Sequence, residues 1–158
     1  MKCKLISIDL STVATGVAYF ENAVYKKHFL IKPKKSLETE DRTEEIIKTL
    51  NSLFKKYSPD IVVIEDTFAS INMMTYKWLT RLQGAIIMCC LERDAEYHLM
   101  LPSEWRKLIG FIQGKKTTKE LKQMSKTYVL EKYNLDVTDD EADAICIGHY
   151  VLKLFGII

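Results

Sequence analysis

Four carboxylates stand out by where they fall in the chain. Asp9 closes the apolar run 5–8, Glu65 closes the unbroken β-branched run 61–64, and Asp140 and Asp143 open a late helical segment three residues apart. On a helix that spacing puts both side chains on one face, with Cβ atoms about 5–6 Å apart. Singly, each has an ordinary explanation. An aspartate after a strand caps a turn, a glutamate ending a buried run is the first solvated residue, and acids at a helix start answer the helix dipole. The conjunction says more. If the two strands are central and parallel, their carboxyl ends lie side by side, where open α/β sheets place ligand sites. Two like charges about 4 Å apart cost on the order of 4 kcal/mol at an effective dielectric near 20, so four acids in one pocket require protons or cations. An all-oxygen donor set selects hard ions, Mg²⁺ or Mn²⁺. Two such ions roughly 4 Å apart can clamp the attacking and leaving oxygens of a phosphodiester.

The elements that must position these acids follow from hydrophobic periodicity. Strands are expected over 5–8, 15–20 and 23–31, with Asn22 at a tight hairpin between the second and third. Ile46, Ile47, Leu50, Leu53, Phe54 and Tyr57 recur at helical spacing up to Ser58-Pro59. A buried strand follows over 61–64. A long helix is marked by Ile71, Met74, Trp78, Leu82, Ala85, Ile86 and Cys89, and a short strand runs to Pro102. Helices over 117–132 and 139–155 complete the chain, the last with Thr138 or Asp139 as N-cap. The expected order is β-β-β-α-β-α-β-α-α, a mixed sheet with helices on its faces.

Length and composition bound the alternatives. A chain of 158 residues, 47% apolar and 28% charged, is expected to form one domain over 1–158 that folds without a disulfide or structural metal. Cys3, Cys89, Cys90 and Cys146 all sit in apolar runs with no Cys-x-x-Cys pair, and with His28, His98 and His149 they give no zinc spacing. They read as buried free thiols of a cytoplasmic protein. Asp9 interrupts the first apolar run too early for a secretory signal, and no run is long enough to span a membrane.

The net charge of +2 hides an uneven distribution. Residues 103–134 carry eight basic side chains against three acidic ones, and 136–143 then carry five acids and no base. A lysine-rich helix alone is a solvated face. Beside converging acids it becomes a means of drawing in a polyanion that the acids would repel. The stretch GFIQGKKT resembles a phosphate-binding loop, but its Gly-x-x-x-Gly spacing is one residue short and it follows a helical segment rather than a strand. Trp105 and His149 read as packed core residues. Met73, Met74, Tyr76 and Trp78 make the start of the long helix apolar on more than one side, which fits either deep burial or a homodimer surface.

The segments SIDLSTVATG, VVIEDTFAS, LPSEWRKLIG with GKKTTKEL, and DDEADAICIG, in this order, resemble the RuvC family of Holliday-junction resolvases within the RNase H-like superfamily. The resemblance covers nearly the whole chain. It implies an RNase H-like fold with a five-stranded mixed β-sheet flanked by α-helices, and a homodimeric, magnesium-dependent endonuclease. Such an enzyme nicks four-way DNA junctions in pairs and leaves 5′-phosphate and 3′-hydroxyl ends. It makes Asp9, Glu65, Asp140 and Asp143 the metal-binding catalytic acids, holding two Mg²⁺ that Mn²⁺ can replace. Phe68 becomes an aromatic that stacks on junction bases, and Arg106 and Lys119 become phosphate contacts, with Lys115 and Lys116 joining them from the intervening loop. Thr15 and Gly16 match the family, whereas Leu10-Ser11 stand where it carries Pro-Gly. The short, lysine-rich chain would suit a phage-encoded member. Two other readings stay open: an RNase H-like nuclease acting on RNA, and a branched-DNA-binding module without catalysis. A sugar-kinase-like or actin-like ATPase needs a second similar domain that this length does not supply.

Overall fold

A computed structural model describes residues 3–67 and 72–156. Five strands form one sheet in the order β3-β2-β1-β4-β5. They are β1 (Lys4–Asp9), β2 (Thr15–Glu21), β3 (Val24–Ile31), β4 (Ile61–Glu65) and β5 (Glu96–Met100). The helices are α1 (Thr39–Tyr57), α2 (Met73–Leu91), α3 (Pro102–Leu108), α4 (Thr118–Tyr133) and α5 (Asp139–Leu154). β1, β2 and β3 pair antiparallel, while β4 lies parallel to both β1 and β5. This is the expected mixed sheet. The hairpin at Asn22 closes through Asn22 and Ala23, both with positive φ (52° and 65°), the backbone twist that two-residue hairpins favour.

Strand alternation decides what faces what. Leu5 and Val63 point to one side of the sheet, into a core shared with Phe20, Trp105 and the apolar residues of α5. Ile6, Ile8, Val62 and Ile64 point to the other, against Ile46, Leu50 and Phe54 of α1 and Leu82 and Ile86 of α2. Continuing the period of two, Asp9 and Glu65 must both turn toward the α5 side. The pairing of Ile8 with Ile64 sets them on adjacent strands at the same level.

Helix α5 approaches the sheet closely because both surfaces are small where they meet. Ser7 Oγ donates a 2.7 Å hydrogen bond to the Ala144 carbonyl. A Cβ on Gly148 would lie 2.3 Å from the Phe20 ring, and one on Gly16 would lie 1.9 Å from the Asp140 carbonyl oxygen. The start of α5 is fixed by a capping box in which Thr138 accepts from the Glu141 N–H and Glu141 accepts from Thr138 N–H. An equivalent box between Thr117 and Glu120 starts α4.

Three boundaries differ from the periodicity reading. Helix α1 begins at Thr39, seven residues before its first apolar pair, because its first turns are polar and, apart from buried Thr43 and half-buried Thr39 and Arg42, exposed. Asn72 caps α2 by accepting from the N–H groups of Met74 and Thr75. The seven-residue α3, expected only as a helical segment before GFIQGKKT and left out of the element order, buries only Trp105 and so shows little periodicity.

Candidate active site

The sheet and α5 bring together the four acids picked from the sequence. Asp9 is buried at the end of β1 and Glu65 half-buried at the end of β4, while Asp143, 2% exposed, and the half-buried Asp140 descend from the first turns of α5. Their closeness shows in the acidity of Asp9 and Asp143. The Asp9 carboxyl is pushed well above the usual carboxylate range by burial, then by the negative charge of Glu65 and Asp143, by a hydrogen bond shared with Glu65, and by Asp140. Asp143 is raised to about 7, chiefly by burial; the Ser125 hydroxyl, Arg106 and Lys122 pull the other way, and the Glu65 charge adds to the rise. The pocket is therefore short of positive charge.

Two cations from the segment after β5 partly supply it, and an indole N–H beside them adds a neutral donor. Lys122 Nζ lies 2.7 Å from Asp140 Oδ1 and 3.5 Å from Asp139 Oδ2. Arg106 Nη2 lies 3.5 Å from Asp143 Oδ2, with its guanidinium 4.7 Å from the Trp105 ring centroid. The Trp105 indole donates a 3.0 Å hydrogen bond from Nε1 to Glu65 Oε1. Asp143 Oδ1 remains buried with no hydrogen-bond partner. An orphaned carboxylate oxygen, an all-oxygen donor set and acids held above their usual range together fit a hard divalent cation. Among the described residues, no three acid, histidine or cysteine side chains already stand at ligating spacing. Two of the four acids are held instead by Lys122 and Arg106.

The basic residues named from the sequence divide. Lys115 and Lys116 lie exposed in the loop between α3 and α4, and Lys119 is exposed on the first turn of α4. Arg106 is not with them: its side chain is only 13% exposed and faces Asp143. Phe68 lies outside the described residues. His149 is buried as expected, its Nδ1 2.8 Å from the Tyr133 hydroxyl. Trp105 is buried as expected, but its contact with Glu65 gives it a second role that no sequence signal announced. Lys122 was one of seven lysines in the basic segment until α4 set it beside Asp140. Deep monomer burial of the methionines on α2 does not hold, since Met73 and Met74 are 58% and 62% exposed.

A mixed 3-2-1-4-5 sheet with acids at the ends of its two central parallel strands and at the start of the last helix defines an RNase H-like nuclease fold. The family profile described as "Crossover junction endodeoxyribonuclease RuvC" matches residues 6–149. The chain belongs to the RuvC family of crossover junction endodeoxyribonucleases. It is similar to the RuvC protein of Fusobacterium nucleatum, with 28% identity over 153 residues covering 92% of this chain and 79% of that one. It is 30% identical over 118 residues to RuvC of Dictyoglomus turgidum, covering 73% and 72%. The structure of Thermus thermophilus RuvC in complex with a Holliday junction superposes with a TM-score of 0.72 over 94% of this chain and 92% of that one, at 14% identity. No helix among the described residues is long and apolar enough to cross a membrane.

Proposed function

We propose that the chain, acting as one domain and as a homodimer, is a magnesium-dependent endonuclease that resolves four-way DNA junctions by paired nicks. Asp9, Glu65, Asp140 and Asp143 would hold the ions. The observation that carries this reading is the meeting of the four carboxylates at one end of the sheet, where burial first and neighbouring negative charge second raise the pKa of Asp9 and Asp143. Magnesium held by these four acids would supply positive charge at the phosphate and lower the pKa of a bound water. The chain's part is to aim the donors: Trp105 orients Glu65, Ser125 and Arg106 flank Asp143, and the register of β1 with β4 sets Asp9 beside Glu65. Lys115, Lys116 and Lys119 form the exposed positive surface that draws in the DNA backbone. The exposed Met73 and Met74 of α2 supply apolar area for the second copy, and a twofold dimer would present two pockets to opposed strands of a junction.

The test is incubation with a synthetic immobile junction, a flap and an RNA duplex, with and without Mg²⁺, read at nucleotide resolution. Symmetrical magnesium-dependent nicks in the junction are expected; preferential cutting of RNA, or binding without any product, would replace this reading with one of the alternatives. Asp9→Asn or Glu65→Gln is expected to slow cleavage by about a thousandfold. Junction affinity should stay within about threefold, because phosphate contacts dominate it.

A further inference from the structure

Helix α4 carries Lys119, Lys122 and Lys126 at spacings of three and four, so all three share one face. With Thr118, Gln123 and Asp139 they line a groove of about 430 Å³ beside the acidic pocket. Lys119 is exposed on the first turn of α4, and Lys126 is half-buried. Lys122 lies between them and reaches Asp140 at 2.7 Å, yet its side chain stays 30% exposed to the groove. The pocket's other cation is held differently. Arg106 is 13% exposed and stacked on Trp105, so its planar head is pinned. A lysine is a compact charge on a flexible stem that can change partners without moving its helix.

We propose that Lys122 is the resident cation of the carboxylate pocket: it pairs with Asp140 while no divalent ion is bound, and passes to a substrate phosphate in the lysine groove when one is. This rests on the metal-site reading above. Its physical basis is charge balance. Asp140 cannot serve Lys122 and a divalent ion equally, and an ion on the carboxylates repels an ammonium at hydrogen-bond distance from them. The released ammonium finds the groove already lined by Lys119 and Lys126, where three positive charges face only the Asp139 carboxylate and call for a polyanion. Metal and DNA binding are then coupled through one side chain, and by linkage each strengthens the other.

The experiment compares the wild-type chain, Lys122→Gln and Lys122→Arg in two measurements. Calorimetric titration with Mn²⁺ reads metal affinity. Fluorescence anisotropy of a labelled synthetic junction, its integrity checked afterwards, reads DNA affinity in EDTA and in Ca²⁺ over a range of salt. Lys122→Gln is expected to bind Mn²⁺ about fivefold tighter and to lose about fivefold of the junction affinity that Ca²⁺ adds. Its slope of log affinity against log salt should fall by about 1 in Ca²⁺ and stay unchanged in EDTA. Lys122→Arg should recover the Ca²⁺-dependent affinity. Unchanged Mn²⁺ affinity, or an equal loss of junction affinity in EDTA and in Ca²⁺, would overturn the exchange. Failure of the wild-type chain to take up Mn²⁺ would overturn the metal-site reading itself, and it is distinguishable because it needs no variant to appear.

Discussion

Glu65 is aimed by a residue forty positions away. The Trp105 indole is fully buried, so its N–H is fixed by packing, and its single polar atom donates to Glu65 Oε1. Trp105→Phe keeps an aromatic in the core and removes only the donor and part of the ring. Outer-shell partners of metal ligands typically contribute 10–100-fold, so about that loss in Mn²⁺ affinity is expected by calorimetry; a separate thermal melt would show that the fold survives. The acids themselves make stability depend on pH. Asp9 and Asp143 have folded-state values above their unfolded ones, so the folded chain binds the extra protons. Their contribution is fully present below the ordinary carboxylate value and is lost as pH rises through about 7 for Asp143. His149 works in the opposite direction. Burial lowers it to about 4, so its contribution is present above the ordinary histidine value and is lost as pH falls toward 4. The difference between melts in Mg²⁺ and in EDTA cancels the His149 effect, which is common to both. That difference is expected to be about 3–6 °C larger near pH 7.5 than near pH 5. An increment independent of pH would remove these carboxylates from the metal site.

At the scale of elements, the site exists because α5 lies unusually close to β1 and β2. The close faces are Ser7 and Gly16 on the sheet and Asp140, Ala144 and Gly148 along one stripe of the helix. Gly16 pairs with Asp9 across the β1–β2 ladder, so the gap left by its missing side chain admits the first turn of α5 directly above the first acid. Gly16→Ala would place a methyl 1.9 Å from a backbone oxygen, which cannot rotate away. Overpacking of this kind costs about 1–3 kcal/mol. The expected outcome is a lower melting temperature, together with weakened cleavage through displacement of Asp140 and Asp143. Gly148→Ala meets the Phe20 ring and Ser7 Oγ instead, farther along α5. It is expected to lower stability by a comparable amount while leaving the metal dependence of cleavage as in the wild type. Measuring melting temperature and magnesium half-saturation for both variants separates the two effects.

For the whole molecule, the exposed methionines at the start of α2 are the feature a lone chain explains least. Met73 and Met74 are more than half exposed in a helix whose opposite side packs Leu82 and Ile86 into the core. Met73→Glu with Met74→Glu would cost a single chain little, since surface substitutions stay within about 0.5 kcal/mol. A dimer that buries them would separate. Light scattering during size exclusion is expected to show the wild type at twice the chain mass and the double variant at the chain mass. A wild type at single-chain mass would remove the dimer from the proposal. The exposed lysines sit on the opposite flank of the sheet, on α4 and the loop before it, so the proposed interface and the proposed DNA surface do not compete for the same helix.

Hydrophobic pattern alone placed the strands that end in Asp9 and Glu65, and the Asp-x-x-Asp spacing alone put Asp140 and Asp143 on one helix face. Those properties are local: alternation and helical period are written in neighbouring residues. The register of Ile8 with Ile64, the direction from which α5 arrives, and the contacts of Lys122, Arg106 and Trp105 with three different acids are not local. They join residues 18 to 40 positions apart in the chain, and nothing in the intervening sequence encodes a distance. The acids were therefore legible as a set. Which of them is neutralised, by which cation, and which is aimed by an indole was decided only when the chain closed on itself.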